Sequence, residues 1–311
     1  MRILVTGGAG FIGSNLIRKL LEQGNEVICI DNFVSGKKEN IQELLENEKF
    51  SLIVGNIVDP LGVGVINDID QIYNLACPAS PKYYQQQPIE TLKTCFQGML
   101  NMLELARKNN ARILQTSTSE VYGDPLVSEQ SELYYGNVNP NGVRACYDEG
   151  KRVAETLCCD YCRMYNIDVK IARIFNTYGP FMRPDDGRVI SNFVNAILDG
   201  NEIKIYGTGE QTRSMCYVSD MVAGLMALMN SNIHGPVNLG NPNELTINEL
   251  AQVVKSKMDS NVSITYCDGL ENDPKKRRPD ISLAEKELNW KPLVSLDLGI
   301  SKTIEYYRKV R

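Results

Sequence analysis

The 311-residue chain is poor in histidine, and several enzyme classes depend on that residue. Its one histidine, His234, argues against Ser-His-Asp and Cys-His hydrolases. Without histidine partners or a second ligand cluster, the nine cysteines do not predict a metal site. No run of about 20 apolar residues occurs, so we expect no membrane span. The formal net charge of −5 argues against nucleic acid as a partner, and any anionic ligand must meet local positive groups.

The cysteines and the start of the chain predict a compartment. We interpret the cysteines as reduced, buried thiols, which are typical of a reducing environment. Met1 is followed directly by a predicted strand, so we expect no signal or transit peptide. Together these features favour a cytoplasmic location.

Predicted strands alternate with predicted helices through the first half of the chain. Residues 14–23, 91–108 and 147–165 have the apolar spacing of helices. Such alternation is typical of a parallel sheet with helices on both faces, so we expect an α/β fold with a Rossmann-type doubly wound parallel sheet. The predicted strands are residues 2–6, 26–30, 51–54, 71–76, 111–116 and 169–173.

The amino-acid composition changes after Phe175, where predicted loops rich in Gly, Pro and Asp follow. We therefore predict a second, smaller mixed α/β domain that binds the substrate. The cofactor-binding domain would contain residues 1–175 plus about 215–242, and the substrate-binding domain residues 176–214 plus about 243–311. A short basic run from Lys275 to Arg278 is typical, by its charge alone, of a solvated loop.

A glycine-rich turn joins the first predicted strand to the first predicted helix, with the sequence Thr6-Gly7-Gly8-Ala9-Gly10-Phe11-Ile12-Gly13. Glycines allow a tight bend and the close approach of a pyrophosphate, and free N–H groups at a helix start favour an anion. Asp31 ends the next strand about 20 residues further on, where it can accept hydrogen bonds from a ribose. The pattern predicts a dinucleotide site. The carboxylate favours NAD over NADP, although Lys37 and Lys38 nearby leave NADP open.

Tyr147 and Lys151 stand four residues apart on one predicted helix, so their side chains share a face. Tyrosine has a free pKa of about 10 and is a poor base, but a neighbouring ammonium favours its phenolate. Thr118 and Ser119 follow a predicted strand at the edge where ligands of such sheets bind, and their hydroxyls can bond a reacting hydroxyl. Glu120 adds a carboxylate that can act as acid or base. These five residues are the predicted catalytic group.

Together these strings resemble the extended short-chain dehydrogenase/reductase family over essentially the whole chain. The family's T-G-x-x-G-x-x-G stands at residues 6–13 and its Y-x-x-x-K at residues 147–151. Within the family the chain is similar to decarboxylases of UDP-glucuronate, on strings that include Arg144-Ala-Cys-Tyr-Asp-Glu-Gly-Lys-Arg152 and Arg277-Arg-Pro-Asp280. The resemblance implies NAD as cofactor, UDP-glucuronate as substrate and UDP-xylose as product. It also implies a homodimer joined through the predicted helices 91–108 and 147–165.

The resemblance further implies a role for each site residue. Tyr147 is the base with Lys151 as its partner, Thr118 assists at the sugar C4 hydroxyl, and Glu120 acts near C5. Arg277 meets the sugar carboxylate, a task that suits the two parallel N–H donors of a guanidinium. UDP would lie along Asn176, Arg188, Tyr206, Gln211 and Arg213. Besides Tyr147 and Lys151, the cofactor would meet Gly7, Gly10, Phe11, Ile12, Gly13, Asp31, Asn32, Phe33, Asn56, Ile57, Leu75 and Lys93.

Two positions depart from the family's pattern. Gly55-Asn56 replaces a usual His-Asp pair near the adenine, and Cys95 replaces an asparagine that supports the active-site backbone. Because the catalytic residues are untouched, we expect activity with an altered cofactor affinity or rate.

Two other hypotheses stay open at this point. One is a different reaction on the same scaffold, 4-epimerisation or 4,6-dehydration of a nucleotide hexose, although such dehydratases usually show Asp-Glu where this chain has Ser119-Glu120. The other is a non-catalytic, cofactor-sensing scaffold protein. The intact Thr118, Tyr147 and Lys151 weigh against the second.

Overall fold

Thirteen strands lie in the part of the chain that the computed structural model describes, residues 1–59, 66–269 and 276–311. They are β1 Arg2–Thr6, β2 Glu26–Asp31, β3 Phe50–Val54, β4 Gln71–Asn74, β5 Arg112–Thr118, β6 Val169–Ile174, β7 Thr177–Tyr178, β8 Ile203–Tyr206, β9 Thr212–Ser214, β10 Cys216–Tyr217, β11 Pro236–Leu239, β12 Glu244–Thr246 and β13 Ile264–Cys267.

Seven strands form one parallel sheet in the order β3-β2-β1-β4-β5-β6-β11. The chain adds strands on one side of β1 and then on the other, so the order reverses at β1, as in a doubly wound fold. The predicted Rossmann-type sheet is confirmed. At its edge β11 pairs with β6, with Val237 opposite Ala172, so the chain returns to the sheet after the loops that follow Phe175. The limits of the two domains stay a prediction.

Helices cover the sheet and surround the smaller part. They are α1 Phe11–Glu22, α2 Pro81–Tyr84, α3 Pro88–Lys93, α4 Met99–Asn109, α5 Ala145–Tyr165, α6 Val189–Leu198, α7 Val218–Met229, α8 Ile247–Lys257, α9 Ser282–Leu288 and α10 Leu296–Lys309, with short 3-10 helices at Lys38–Glu46 and Ser119–Tyr122 and a π-helical turn at Thr94–Gly98.

Both faces of the sheet are buried, which explains why its strands are apolar without interruption. Leu4 and Val5 are neighbours in β1, yet they belong to separate apolar clusters because successive strand residues point to opposite faces. Val5 shares its cluster with residues of α1 and α7, and Leu4 shares its cluster with residues of α4 and α5. The two-sided cover of helices follows from this burial.

The segment predicted as one helix over residues 91–108 is interrupted. The π-helical turn Thr94–Gly98 lies between α3 and α4. Such turns add a residue to the helix and are frequent at functional sites. Cys95 points inward from this turn and is buried.

The remaining strands pair two by two. The pairs β7–β10 and β8–β13 are parallel, whereas β9–β12 is antiparallel. They lie with α6, α8 and α10 beside the carboxyl ends of the main sheet and complete one side of the cavity described below. Among the described residues, no helix combines the length and apolar character needed to cross a membrane.

Candidate active site

One cavity of about 710 Å³ lies at the carboxyl ends of the parallel strands. Its wall begins at Gly7 after β1, includes Leu75 after β4 and Thr118 at the end of β5, and reaches Arg277 in the C-terminal part. Ligands of open α/β sheets bind at this edge, where the strand order reverses.

The glycine-rich turn shapes one end of the cavity through its backbone. Gly7 has a φ of +68°, and a Cβ there would lie 2.9 Å from the backbone of Ala76. A Cβ on Gly13 would lie 2.3 Å from the carbonyl oxygen of Gly7. Helix α1 follows from the N-cap Gly10, which has no capping side chain, so the first N–H groups of the helix are free to bind an anion.

Asp31 is held beside this turn by backbone donors. The N–H of Ala9 donates to its Oδ2 at 2.9 Å, and the N–H of Phe33 donates to its Oδ1 at 2.8 Å. Burial raises the pKa of Asp31, and these backbone hydrogen bonds oppose the rise. Each carboxylate oxygen keeps lone-pair capacity for a further donor such as a ribose hydroxyl.

Tyr147 and Lys151 line the cavity from the N-terminal half of α5. Lys151 donates to the carbonyl oxygen of Thr116 at 2.8 Å, and its Nζ lies 5.7 Å from the centre of the Tyr147 ring. Burial and the charge of Cys77 raise the pKa of Tyr147, whereas a hydrogen bond with Thr118 lowers it. Burial therefore outweighs the lowering predicted from the lysine. The ring of Tyr84 stacks on Tyr147 with centroids 4.9 Å apart.

Glu120 lies between two guanidinium groups at the other end of the cavity. Arg277 Nη1 is 3.0 Å from Glu120 Oε1, and Arg144 Nη2 donates to Oε2. Arg277 also donates to Ser119 Oγ at 3.1 Å. Burial alone would raise the pKa of Glu120, but the two arginines hold it at about 2. Glu120 is therefore ionised at neutral pH and has no proton to give as a general acid.

Asp148 completes this charged group from the interior. Burial and the charge of Glu120 raise its pKa to about 7, against the opposing effect of Arg144 and Arg277. Its Oδ1 is buried and accepts no hydrogen bond. A carboxyl without a donor binds a proton more tightly than one that is solvated.

The structure brings most predicted site residues to this cavity. Phe33 and Lys93 do not line it: Phe33 packs against the core on the α1 side, and exposed Lys93 pairs with Glu90. The solvated-loop interpretation of the basic run is wrong for Arg277, which is 2% exposed because it pairs with Glu120. Lys275 lies outside the described residues. The predicted residues that line the cavity are Gly7, Gly10, Phe11, Ile12, Gly13, Asp31, Asn32, Asn56, Ile57, Leu75, Thr118, Ser119, Glu120, Tyr147, Lys151, Asn176, Arg188, Tyr206, Gln211, Arg213 and Arg277.

Three cavity residues escaped the sequence analysis. Arg144 precedes Tyr147 by one helical turn, and that spacing was a signal that it shares the face of the catalytic tyrosine. Tyr84 and Cys77 are 63 and 70 residues away from Tyr147 in the chain. No local pattern links them to it, since only the tertiary packing of α2 and of the loop after β4 against α5 brings them together.

Comparison with known proteins gives close relatives. The sequence profile of the family described as GDP-mannose 4,6 dehydratase matches residues 4–303. UDP-glucuronic acid decarboxylase 1 of Arabidopsis thaliana is 54% identical over 308 residues, which cover 99% of this chain and 70% of that protein. UDP-glucuronic acid decarboxylase 6 of the same plant is 54% identical over 309 residues, which cover 99% of this chain and 89% of that protein.

A solved structure of the same fold contains a nucleotide sugar and NAD. UDP-glucuronic acid 4-epimerase from Bacillus cereus, in complex with UDP-glucuronic acid and NAD, superposes with a TM-score of 0.90. It is 27% identical in sequence, and the match covers 100% of both chains.

Proposed function

The chain belongs to the family described as GDP-mannose 4,6 dehydratase, and from this membership we propose that it is an NAD-dependent decarboxylase that converts UDP-glucuronate to UDP-xylose. The identity of 54% to a UDP-glucuronic acid decarboxylase along 99% of the chain supports this reaction over others in the family. The 4-epimerase from Bacillus cereus shares half that identity, 27%.

The observation that carries the proposal is one cavity that contains the glycine-rich turn, Tyr147 and the arginine-flanked Glu120. Arg144 and Arg277 outnumber the ionised Glu120, and Asp148, with a pKa of about 7, is only partly ionised at neutral pH, so this end of the cavity keeps an excess of positive charge. A sugar with a carboxylate complements that charge, whereas a neutral hexose leaves it without an anionic partner. The cluster favours a sugar acid as substrate.

The cofactor end fits NAD. The glycine turn brings backbone segments together where a Cβ would clash, the first N–H groups of α1 are open to an anion, and Asp31 can accept hydrogen bonds from a ribose. We assign Asn32, Asn56, Ile57 and Leu75, which line the same part of the cavity, as further contacts. NAD held there would supply a reversible hydride acceptor for C4 of the sugar, so the overall reaction would have no net redox change.

The proposed chemistry starts at Tyr147, which takes the proton of the C4 hydroxyl while Thr118 hydrogen-bonds beside it. Burial raises the pKa of Tyr147, so this role requires that the positive charge of a bound nicotinamide, together with Lys151, lower that pKa again. The resulting C4 ketone is β to the C5 carboxylate, so carbon dioxide can leave while the electrons are held as an enolate. C5 is then protonated, with the proton drawn from solvent, and Tyr147 returns its proton to the C4 oxygen. Glu120 is ionised, so it is proposed to act near C5 by its charge and not as the proton donor.

Arg277 is proposed to orient the sugar carboxylate without binding it too tightly. Its guanidinium already shares its charge with Glu120 and bonds Ser119. A clamp that stabilised the carboxylate in the ground state would slow its loss as carbon dioxide. An arginine that is partly neutralised by Glu120 avoids that effect.

The UDP part is assigned to side chains of the C-terminal half. Arg188 Nε lies 3.0 Å from Asp186 Oδ1, which fixes its orientation at the cavity wall. Gln211 donates to the carbonyl oxygen of Tyr206 at 2.6 Å, so these two are positioned together. With Asn176 and Arg213 they line one side of the cavity.

We also propose a homodimer that forms through the helical layer of α3, α4 and α5. Large apolar side chains are exposed there, among them Ile89 (68%), Phe96 (47%) and Met164 (70%). Burying such side chains against a second copy is favourable. Sedimentation of the wild type and of Phe96→Glu tests this, since the dimer should weaken in the variant.

The nine cysteines are all free thiols, which supports a cytoplasmic location.

The deciding experiment is incubation with UDP-glucuronate and NAD, followed by NMR of the products. We expect UDP-xylose and carbon dioxide, with NAD needed only in catalytic amount. UDP-galacturonate as the product would identify a 4-epimerase. UDP-glucuronate has no C6 hydroxyl to lose as water, so a dehydratase would be identified by a 4-keto-6-deoxy hexose formed from UDP-glucose in a parallel incubation. No turnover by a folded protein that binds NAD would favour the scaffold hypothesis. Each of these three outcomes would overturn the proposal.

A further inference from the structure

Two thiols meet next to the catalytic helix. The Sγ atoms of Cys77 and Cys95 are 3.4 Å apart and share a hydrogen bond. Cys77 lies in the loop after β4 and lines the cavity, so small molecules in the cavity can reach it. Cys95 is buried behind it in the π-helical turn Thr94–Gly98.

Cys95 also contacts the helix that carries Tyr147 and Lys151. Gly150 lies between those two residues, and a Cβ built on it would be 3.1 Å from both the Cβ and the Sγ of Cys95. The sulfur pair therefore connects the wall of the cavity to the backbone between the two catalytic side chains. A change in the position of Cys95 must move this contact, because protein interiors leave little free volume.

The two thiols have different electrostatic surroundings. The hydrogen bond with Cys95 and the charge of Lys151 lower the pKa of Cys77 against the effect of burial. The pKa of Cys95 is raised by its bond to Cys77 and by burial. A thiolate is the reactive form of cysteine, so Cys77 is the nucleophile of the pair and Cys95 is the resolving thiol.

We propose that Cys77 and Cys95 form a dithiol modification site for hydroperoxides, and that its oxidation to a disulfide switches catalysis off reversibly. The Cys77 thiolate attacks one oxygen of the peroxide bond, which gives a sulfenic acid and releases an alcohol or water. The Cys95 sulfur then attacks the sulfenic sulfur, and hydroxide leaves as water with the Cys95 proton. Two thiols are oxidised and one hydroperoxide is reduced.

The disulfide would disturb the active site through a short movement. A disulfide joins its sulfurs at about 2.05 Å, so the pair must close by about 1.4 Å from its 3.4 Å separation. This movement pulls the loop that lines the cavity towards the π-helical turn and displaces Cys95 from Gly150. A misplacement of about 1 Å in a catalytic group can cost about 100-fold in rate.

Peptide mapping tests the site independently of any activity. The protein is treated with hydrogen peroxide, its remaining thiols are blocked by alkylation, and the digest is examined by mass spectrometry. A peptide linked through Cys77 and Cys95 is expected from the wild type and from the control Cys267→Ser, which removes a thiol of β13 that does not line the cavity. In Cys95→Ser, dimedone should instead trap the sulfenic acid on Cys77. Absence of the linked peptide from oxidised wild type would overturn the proposal.

The effect on turnover rests on the proposed decarboxylase function. UDP-xylose formation by the oxidised wild type should fall at least about 10-fold and return after treatment with dithiothreitol, because the misplacement is reversible. Each variant is compared with its own untreated sample, and Cys267→Ser should respond as the wild type does. A fully linked enzyme with unchanged turnover would overturn the switch. An untreated enzyme without turnover would instead overturn the proposed function, and the peptide map would still decide whether the disulfide forms.

Discussion

The two ends of the cavity are built in different ways. The cofactor end is built mainly from one stretch, residues 6–36, with Asn56, Ile57 and Leu75 beside it. It depends on backbone N–H groups and on glycines where a Cβ would clash with neighbouring backbone. The sugar end joins Glu120, Arg144 and Arg277 from distant parts of the chain, and it depends on side-chain charge. A site formed by backbone groups is disrupted when a glycine is replaced by a residue with a side chain. A buried charge cluster is destabilised when one of its charged partners is removed. The two ends should therefore respond to different substitutions.

Tyr147→Phe should lower turnover while leaving ligand binding at both ends of the cavity unchanged. We expect this loss of turnover to be the largest effect of any substitution considered. Loss of a general acid–base group costs about 10² to 10⁴ in rate, and we expect turnover in the UDP-xylose assay to fall by about 10³. Phenylalanine keeps the ring that stacks on Tyr84, so the fold should be retained. Calorimetry should show unchanged binding of NAD and UDP. Near-normal turnover would end the assignment of Tyr147 as the base.

Arg277→Ala should damage the sugar end alone. The kcat/KM for UDP-glucuronate should fall by more than about 30-fold, equal to about 2 kcal/mol, because a desolvated charged partner is lost. The affinity for plain UDP should barely change, since Arg188 and Gln211 are assigned to that part. Equal losses for UDP and UDP-glucuronate would make Arg277 a nucleotide-binding or structural residue.

Arg277→Lys is the matched control, because it keeps the positive charge and removes the two-pronged donor. Its kcat/KM should lie between the wild type and Arg277→Ala. Thermal unfolding of both variants separates catalysis from folding, since the largely buried Glu120 would lose one of its two cationic partners in Arg277→Ala and keep both in Arg277→Lys.

The cofactor end should be tested by comparing the binding affinities of NAD and NADP. NAD should bind at least about 10-fold more tightly, because a 2′-phosphate would meet the buried carboxylate of Asp31. Asp31→Asn removes the charge and should narrow this ratio, while UDP binding, measured by the same calorimetry, stays constant. Equal affinity of the wild type for the two cofactors would show that Lys37 and Lys38 dominate.

Local patterns predicted the cofactor end and the parallel sheet, and the resemblance to the extended short-chain dehydrogenase/reductase family is confirmed. Gly7 and Asp31 could be placed because each follows a strand of one continuous unit. Arg144 could not be paired with Glu120 in advance, because the pairing depends on how α5 packs beside β5. The π-helical turn at Cys95 was not predicted from the sequence either, since the apolar spacing there is that of an ordinary α-helix.

The two ends also differ in how each one solvates a buried carboxyl group, Asp31 at the cofactor end and Asp148 at the sugar end. At the cofactor end both oxygens of Asp31 accept a backbone N–H, whereas at the sugar end Asp148 Oδ1 accepts none. Burial raises the pKa of both groups, and that of Asp148 reaches about 7. A carboxyl whose pKa is raised on folding gives stability that is complete below its unfolded pKa of about 3.9. That stability is lost as the pH rises towards the folded pKa.

Asp148→Asn should therefore gain stability over the wild type as the pH rises. Between pH 5.5 and 8.5 the wild type passes the folded pKa of about 7 and must ionise a buried carboxyl whose Oδ1 accepts no hydrogen bond, whereas asparagine does not titrate. We expect the difference in unfolding free energy, variant minus wild type, to grow by at least about 1 kcal/mol over this range. Urea unfolding at both pH values measures it. Asp31→Asn is the control and should show a smaller change, because its backbone donors compensate the charge. A difference for Asp148→Asn that does not depend on pH would contradict this assignment of the titrating group.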